Sequence, residues 1–349
     1  MRKLATVQKI WKIEQIEGAD RIELAHVLGW QCVINKGQFT QGDLGVYFEI
    51  DSFLPEKPVF EFLRSSSFRH SEILGDGFRL RTMRFCGQLS QGLILPVQAF
   101  EELVAIDVVE YADVTELLKI KKWEVPERVA TSGTIIGDLP PDIPKTDETR
   151  VQSIPELIQE FDGLPYYITT KMDGSSHSCC IDAEGVFHVT GHNYEYKDDG
   201  KSGFYEWLKD NKVENKLRKY REEKNYRTIT LQGELCGEGI QKNRLKLKKP
   251  EWYVFTVRIN GKRVGLEEMI DCCKELGLNT VPIEERGRDL PQKYPDVDAL
   301  LIRAEGDYPN GGKKEGIVIR PTEPVFSGLI SGSLSMKVIN NQYLLKESK

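Results

Sequence analysis

Hydrophobic positions along the chain follow two regimes. In the first third, short apolar and β-branched runs stand between turn residues, at 25–28, 31–34, 45–50 and 92–96. Short strands at this spacing predict a small β-barrel or sandwich. A helix-like stretch at 108–123, carrying Leu117, Leu118 and Ile120, leaves that module. The segment 125–150 holds Pro126, Pro140, Pro141 and Pro144 with little periodicity. Proline's fixed φ and missing donor oppose helix and central strand, so a domain boundary is placed there. Beyond it, strand-like runs at 166–170, 186–190, 228–231, 253–259 and 316–319 interleave with helical patterns near 151–160, 203–223 and 266–276. With no strict βαβ rhythm and no G-x-G-x-x-G turn, this part predicts an α+β sheet domain rather than a Rossmann fold. The expected division is a domain at 1–124 with its following helix, a linker at 125–149 and a second domain at 150–349.

Composition narrows the class. A chain of 349 residues suits two domains, at roughly 100–200 residues each. With 40% hydrophobic and 29% charged residues it is expected to be globular. No apolar run nears the roughly 20 residues that span a bilayer, and MRKLATVQKIWKIEQIEG meets charge too soon for a secretory signal. A cytoplasmic protein with no membrane partner is expected. Seven dispersed cysteines, including the adjacent pairs Cys179-Cys180 and Cys272-Cys273, fit buried free thiols better than disulfides or zinc. The net charge of −6 gives no global basic field, so any polyanion must meet a local patch. Two patches offer themselves. Arg79 and Arg81, in GFRLRTMRFCGQLSQGL, would share one face of a strand. Lys242, Arg244, Lys246 and Lys248 alternate with other residues, so in an extended segment four cations share one face. Both suit a phosphate backbone; the alternative for each is a solvated strand kept soluble by its charges.

The sharpest chemical signal is Lys171-Met172-Asp173-Gly174, after the apolar run Tyr166-Tyr167-Ile168. A lysine at a strand end beside an Asp-Gly turn is either a surface residue or a nucleophile. The second role needs a lowered pKa, supplied by burial or by nearby positive charge such as a metal. Four further segments follow in order: Leu231-Gln232-Gly233-Glu234, Trp252-Tyr253-Val254-Phe255, Lys314-Glu315-Gly316-Ile317-Val318-Ile319 and Ser335-Met336-Lys337-Val338.

This ordered set resembles the covalent nucleotidyltransferases, the superfamily of polynucleotide ligases and capping enzymes, which form a lysyl-nucleoside monophosphate at the K-x-D-G lysine. Capping enzymes and most DNA ligases continue into a C-terminal OB domain. This chain stops at Lys349, and the small β-module lies in front. That order resembles the Naegleria and Deinococcus type of ATP-dependent RNA ligase, also through RKLATVQKI, GQLSQGL, IPKTDETRVQ and KMDGSS. The resemblance implies an N-terminal OB-like β-barrel followed by a nucleotidyltransferase domain of antiparallel sheets with flanking helices.

It also implies roles. Lys171 would attack the ATP α-phosphate and become adenylylated. Asp173, Glu234 and Glu315 would hold a hydrated Mg²⁺ or Mn²⁺, ions suited to carboxylates acting through water. Phe255 would stack on adenine, Lys337 would bind the AMP phosphate and Arg150, in ETRVQ, would contact the ATP phosphates. Thr170, His192 and Asn193 fall within the same nucleotide site. The implied partner is RNA, as a nicked duplex, sealed by a monomer. A DNA or hybrid-duplex ligase, or a non-catalytic nucleic-acid-binding protein that keeps the ligase fold, are the alternatives. Two positions depart from the family pattern. Gly191-His192-Asn193 stands where a Ser-Arg-Asn segment is expected, and Ser335-Met336-Lys337 where a K-x-K pair is expected. A histidine carries a full charge only when protonated, so phosphate binding through His192 would depend on pH.

Overall fold

The computed structural model describes residues 2–104, 107–123 and 133–347. Its chain forms two compact units, one of Met1–Val125, Gln152–Pro155 and Leu344–Lys349, the other of Pro126–Val151 and Glu156–Tyr343.

The first unit is built on a five-stranded antiparallel sheet in the spatial order Leu93–Pro96, Leu44–Phe48, Ala5–Gln15, Ile22–Val27, Trp30–Asn35. Alternation along Leu44–Phe48 sends Val46 and Phe48 into one core and Tyr47 into another, so both faces of this strand are covered. The four strands expected from the sequence all occur. The helix at 108–123 does not: these residues form turns and the short strand Lys121–Lys122. Positive φ at Tyr111 (70°) and Lys119 (60°) interrupts any helix, and Val114, Leu118 and Ile120 are buried from turns instead. Arg79 ends the strand Gly75–Arg79, and Arg81 lies beyond it, so the two do not share one strand face.

The second unit holds an eight-stranded and a five-stranded sheet. In the first, Ser175–Ile181 pairs with Ile229–Cys236, which pairs with Glu251–Ile259. Odd positions Cys179, Ile181, Ile229, Leu231 and Leu235 bury against Phe204, Leu208, Leu217, Met269 and Cys273 of the flanking helices. The same alternation turns Ser176 and Glu234 to the opposite face. In the second sheet, Pro165–Lys171 lies between Ile283–Arg288 and Gly316–Pro321, and Met336–Ile339 lies beyond the latter.

Three expectations change here. The helix at 203–223 is two helices, Gly203–Asp210 and Val213–Glu223, separated where Lys212 adopts the left-handed conformation (φ 54°). The segment 151–160 is two 3₁₀ turns, Val151–Ser153 and Pro155–Phe161, divided at Pro155. The part of the expected linker at 125–132 lies outside the described residues. Residues 133–149 belong to the second unit: Ile135–Asp138 pairs with Tyr194–Tyr196, and Gln232 Nε2 donates to the Pro144 carbonyl at 2.8 Å. Proline excluded regular helix from this segment but not its packing. All seven cysteines are free thiols, and all but Cys86 are buried.

Candidate active site

Lys171 is the last residue of its strand and pairs in register with Gly316, which brings Glu315 beside it. The Lys171 Nζ lies 2.7 Å from Glu315 Oε1. The chain then reverses through Met172, Asp173 and Gly174 into the other sheet. A Cβ on Gly174 would stand 2.3 Å from the Leu235 carbonyl oxygen, so the tight K-M-D-G reversal has no room for a side chain there. Glu234, opposite Ser176, reaches the same pocket from the neighbouring strand.

Phe255 enters through a bulge. Its strand shifts register between Gln232, paired with Thr256, and Gly233, paired with Val254, so Phe255 is the extra residue and lines the pocket. A bulge re-aims a side chain that regular pairing would place by strict alternation. From the five-stranded sheet, Val318, Arg320 and Lys337 line the opposite wall. Lys337 pairs with Val318 on one side and with Arg150 on the other.

The structure therefore brings Thr170, Lys171, His192, Glu234, Phe255 and Lys337 to one pocket, with Glu315 on the lysine amine. Thr170 Oγ1 donates to Glu284 at 2.8 Å. His192 Nε2 lies 3.4 Å from Asp147 Oδ2, and Asn193 accepts from Lys145 Nζ at 3.4 Å. Asp173 is buried and accepts from Arg244 Nη1 at 2.6 Å and from the Tyr343 hydroxyl at 3.0 Å. The basic run 242–248 is thus not extended. Its turns carry positive φ at Asn243 and Lys246, and Arg244 folds inward, its guanidinium 4.5 Å from the Tyr343 ring centre. Lys242, Lys246 and Lys248 stay exposed, without the single cationic face that alternation suggested.

Several groups in the pocket carry no motif signal. Arg320 is buried and donates to the Phe255 carbonyl at 2.5 Å, to Ser335 Oγ at 3.3 Å and to Glu148 Oε1 at 2.5 Å. It could have been found by extending the strand pattern past 319, since 316, 318 and 320 share a face. Arg320 also places a guanidinium on Ser335, the position at which the family pattern carries a lysine.

Electrostatics set the resting state. Burial pulls the Lys171 amine down, but the charges of Glu315, Glu234 and Asp173 outweigh it and raise its pKa. The resting amine is an ion-paired ammonium, the reverse of the lowered pKa that a nucleophile needs. Burial pushes the Glu234 carboxyl up to about 8, against the pull of Lys171 and with Glu315 and Asp173 adding repulsion. Asp173 pairs with Arg244 while Glu315 and Glu234 face Lys171, and together the three carboxyl groups form an all-oxygen set of the kind that suits a hydrated divalent cation. Among the described residues no three His, Cys, Asp or Glu side chains are grouped to hold a bare metal ion.

Two family models match the chain: an OB-fold domain over residues 4–97 and an RNA ligase over residues 164–339. No curated relative matches the sequence. Among solved structures, a Naegleria gruberi RNA ligase mutant with AMP and Mn is 36% identical, covers 100% of both chains and superposes with a TM-score of 0.87. Another mutant of that ligase, with ATP and Mn, is also 36% identical and covers 99% of this chain and 100% of its own at a TM-score of 0.87. The same ligase with PPi is 36% identical over 99% of this chain and 98% of its own, at a TM-score of 0.86. The fold is an N-terminal OB domain followed by a mixed α+β ligase domain, the architecture of a covalent nucleotidyltransferase. The chain belongs to the RNA ligase family.

Proposed function

We propose that the protein is an ATP-dependent ligase that seals 5′-phosphate and 3′-OH RNA ends, at nicks in duplex, through a lysyl-AMP and an RNA-adenylate. The observation that carries this is Lys171 Nζ held 2.7 Å from Glu315 within a pocket that Glu234 also lines. The Naegleria gruberi ligase structures with ATP and Mn, AMP and Mn, and PPi support the same ligands here.

ATP binds with adenine against Phe255 and its phosphates toward Lys171, Lys337 and Arg150; Thr170, His192 and Asn193 border the nucleotide. Asp173, Glu234 and Glu315 would hold a hydrated Mg²⁺ or Mn²⁺, whose charge favours loss of the Lys171 proton and neutralises phosphate. Deprotonated Lys171 Nζ attacks the α-phosphorus in line and pyrophosphate leaves. The RNA 5′-phosphate oxygen next attacks the AMP phosphorus and releases the lysine. The 3′-OH finally attacks the RNA 5′-phosphorus, loses its proton and expels AMP. Each step is a phosphoryl transfer governed by positioning and charge neutralisation. Lys242, Lys246, Lys248, Arg79 and Arg81 supply positive charge for the RNA backbone, while Arg244 sits on Asp173. The catalytic division is a nucleotidyltransferase unit that includes residues 133–149, preceded by the OB unit, in a monomer.

The test is nick sealing with RNA or DNA on the 3′-OH side. Joining when that strand ends in RNA, with AMP released, is expected. Equal sealing of an all-DNA nick would contradict the RNA assignment.

A further inference from the structure

We propose that Tyr308 is a positioning residue that ties the backbone of the nucleophile Lys171 to that of its partner acid Glu315; this rests on the assignment of Lys171 above. The ladder between Pro165–Lys171 and Gly316–Pro321 ends at the pair Lys171 and Gly316. Past that last pair the ladder supplies no further rung, and the Lys171 carbonyl and the Glu315 amide share a partner outside it. The Tyr308 hydroxyl serves both, donating to the Lys171 carbonyl at 2.7 Å and accepting from the Glu315 N–H at 3.1 Å. One phenolic oxygen thus fixes the distance between two chain segments at the point where their side chains form the 2.7 Å ion pair.

The tyrosine is itself immobilised. It lies in the short strand Asp307–Tyr308, paired with Gly312–Lys313, and is buried against Met172, Cys236, Leu245 and Val281. A parallel tie acts on the residues before each catalytic group. Glu284 accepts from Thr170 Oγ1 at 2.8 Å and from Lys314 Nζ at 2.8 Å, and Arg303 Nη1 donates to the same carboxylate at 2.8 Å. Lys171 and Glu315 are therefore anchored through their backbones and through their neighbours, while the amine end of the lysine faces the pocket. In-line attack demands such anchoring, because small misplacement of a reacting atom slows chemistry far more than binding.

Tyr308→Phe keeps the ring and removes only the hydroxyl. The experiment measures single-turnover labelling of the chain by α-labelled ATP with Mn²⁺, over a range of ATP concentrations, and separately the sealing of a nick that already carries an RNA 5′-adenylate. In the second reaction Lys171 is not the nucleophile. The expected result is a labelling rate at saturating ATP lower by about tenfold or more, an ATP dependence within about twofold of wild type, and unimpaired sealing of the adenylated nick. Labelling by the variant at the wild-type rate would overturn the proposal. So would equal slowing of both reactions, which marks a general structural defect. A wild-type chain that takes no label would instead overturn the assignment of Lys171, on which the proposal stands.

Discussion

Glu148 is a partly buried carboxylate paired with Arg320, which also donates to the Phe255 carbonyl. Burial alone would raise its pKa, but Arg320 and Arg263 outweigh burial and hold it down at about 2. Its folded pKa is depressed, so its stabilisation is present above the ordinary carboxylate value of about 4.3 and is lost as pH falls toward 2. The effect is on the order of 3 kcal/mol. Glu148→Gln is expected to destabilise the fold at neutral pH by about 3–5 kcal/mol, because Arg320 stays buried without its counter-charge. Its loss of stability between about pH 5 and pH 3 should also be shallower than that of wild type. Urea unfolding across that range checks both, and parallel pH profiles would contradict the role given to Glu148. This residue also marks the limit of sequence reading. Lys171, Asp173, Glu234, Glu315, Phe255 and Lys337 stand in an ordered motif series, and the resemblance of that series to the covalent nucleotidyltransferases implies that they converge on one site. Glu148, Tyr308 and Tyr343 reach the site through strand pairing and turns that join distant segments, and nothing in their immediate neighbours announces it. Arg244 is visible in the sequence as a cation, but the turns at Asn243 and Lys246 aim it at Asp173.

At the scale of elements, local alternation is a good guide and proline a misleading one. The strands at 166–170, 253–259 and 316–319 and the helix Leu266–Leu276 follow directly from periodicity, because one buried face dictates the pattern. The break at Lys212 carries no glycine or proline and so leaves no mark in the sequence. The proline-rich stretch before Arg150 resembles a linker by composition, yet its backbone carbonyls accept from Thr230 and Gln232 and its side chains Thr146, Asp147 and Glu148 line the pocket. Where a truncation is cut should therefore decide its activity. A fragment beginning at Gly133 is expected to take label from α-labelled ATP, whereas one beginning at Arg150 should take none and unfold at a lower temperature. Equal labelling of the two would show that residues 133–149 contribute nothing to the nucleotide site.

For the whole molecule, the sequence matches RNA ligase structures end to end at 36% identity, across both units. The order of a small β-unit before the α+β unit is legible from the spacing of its strands, and the family from five motifs spread over the second unit. The net charge of −6 gives no hint of a polyanionic substrate, because net charge sums the whole chain while the candidate chemistry is concentrated in one pocket around Lys171. Everything proposed for the molecule depends on Lys171 becoming covalently adenylylated. The direct measurement is to incubate the purified chain with α-labelled ATP and Mn²⁺, denature it and look for acid-stable label, with Lys171→Ala beside it. Label on the wild type that is lost from the variant, with pyrophosphate released, is the predicted result. Label that persists in Lys171→Ala, or a wild-type chain that takes none, would contradict the account.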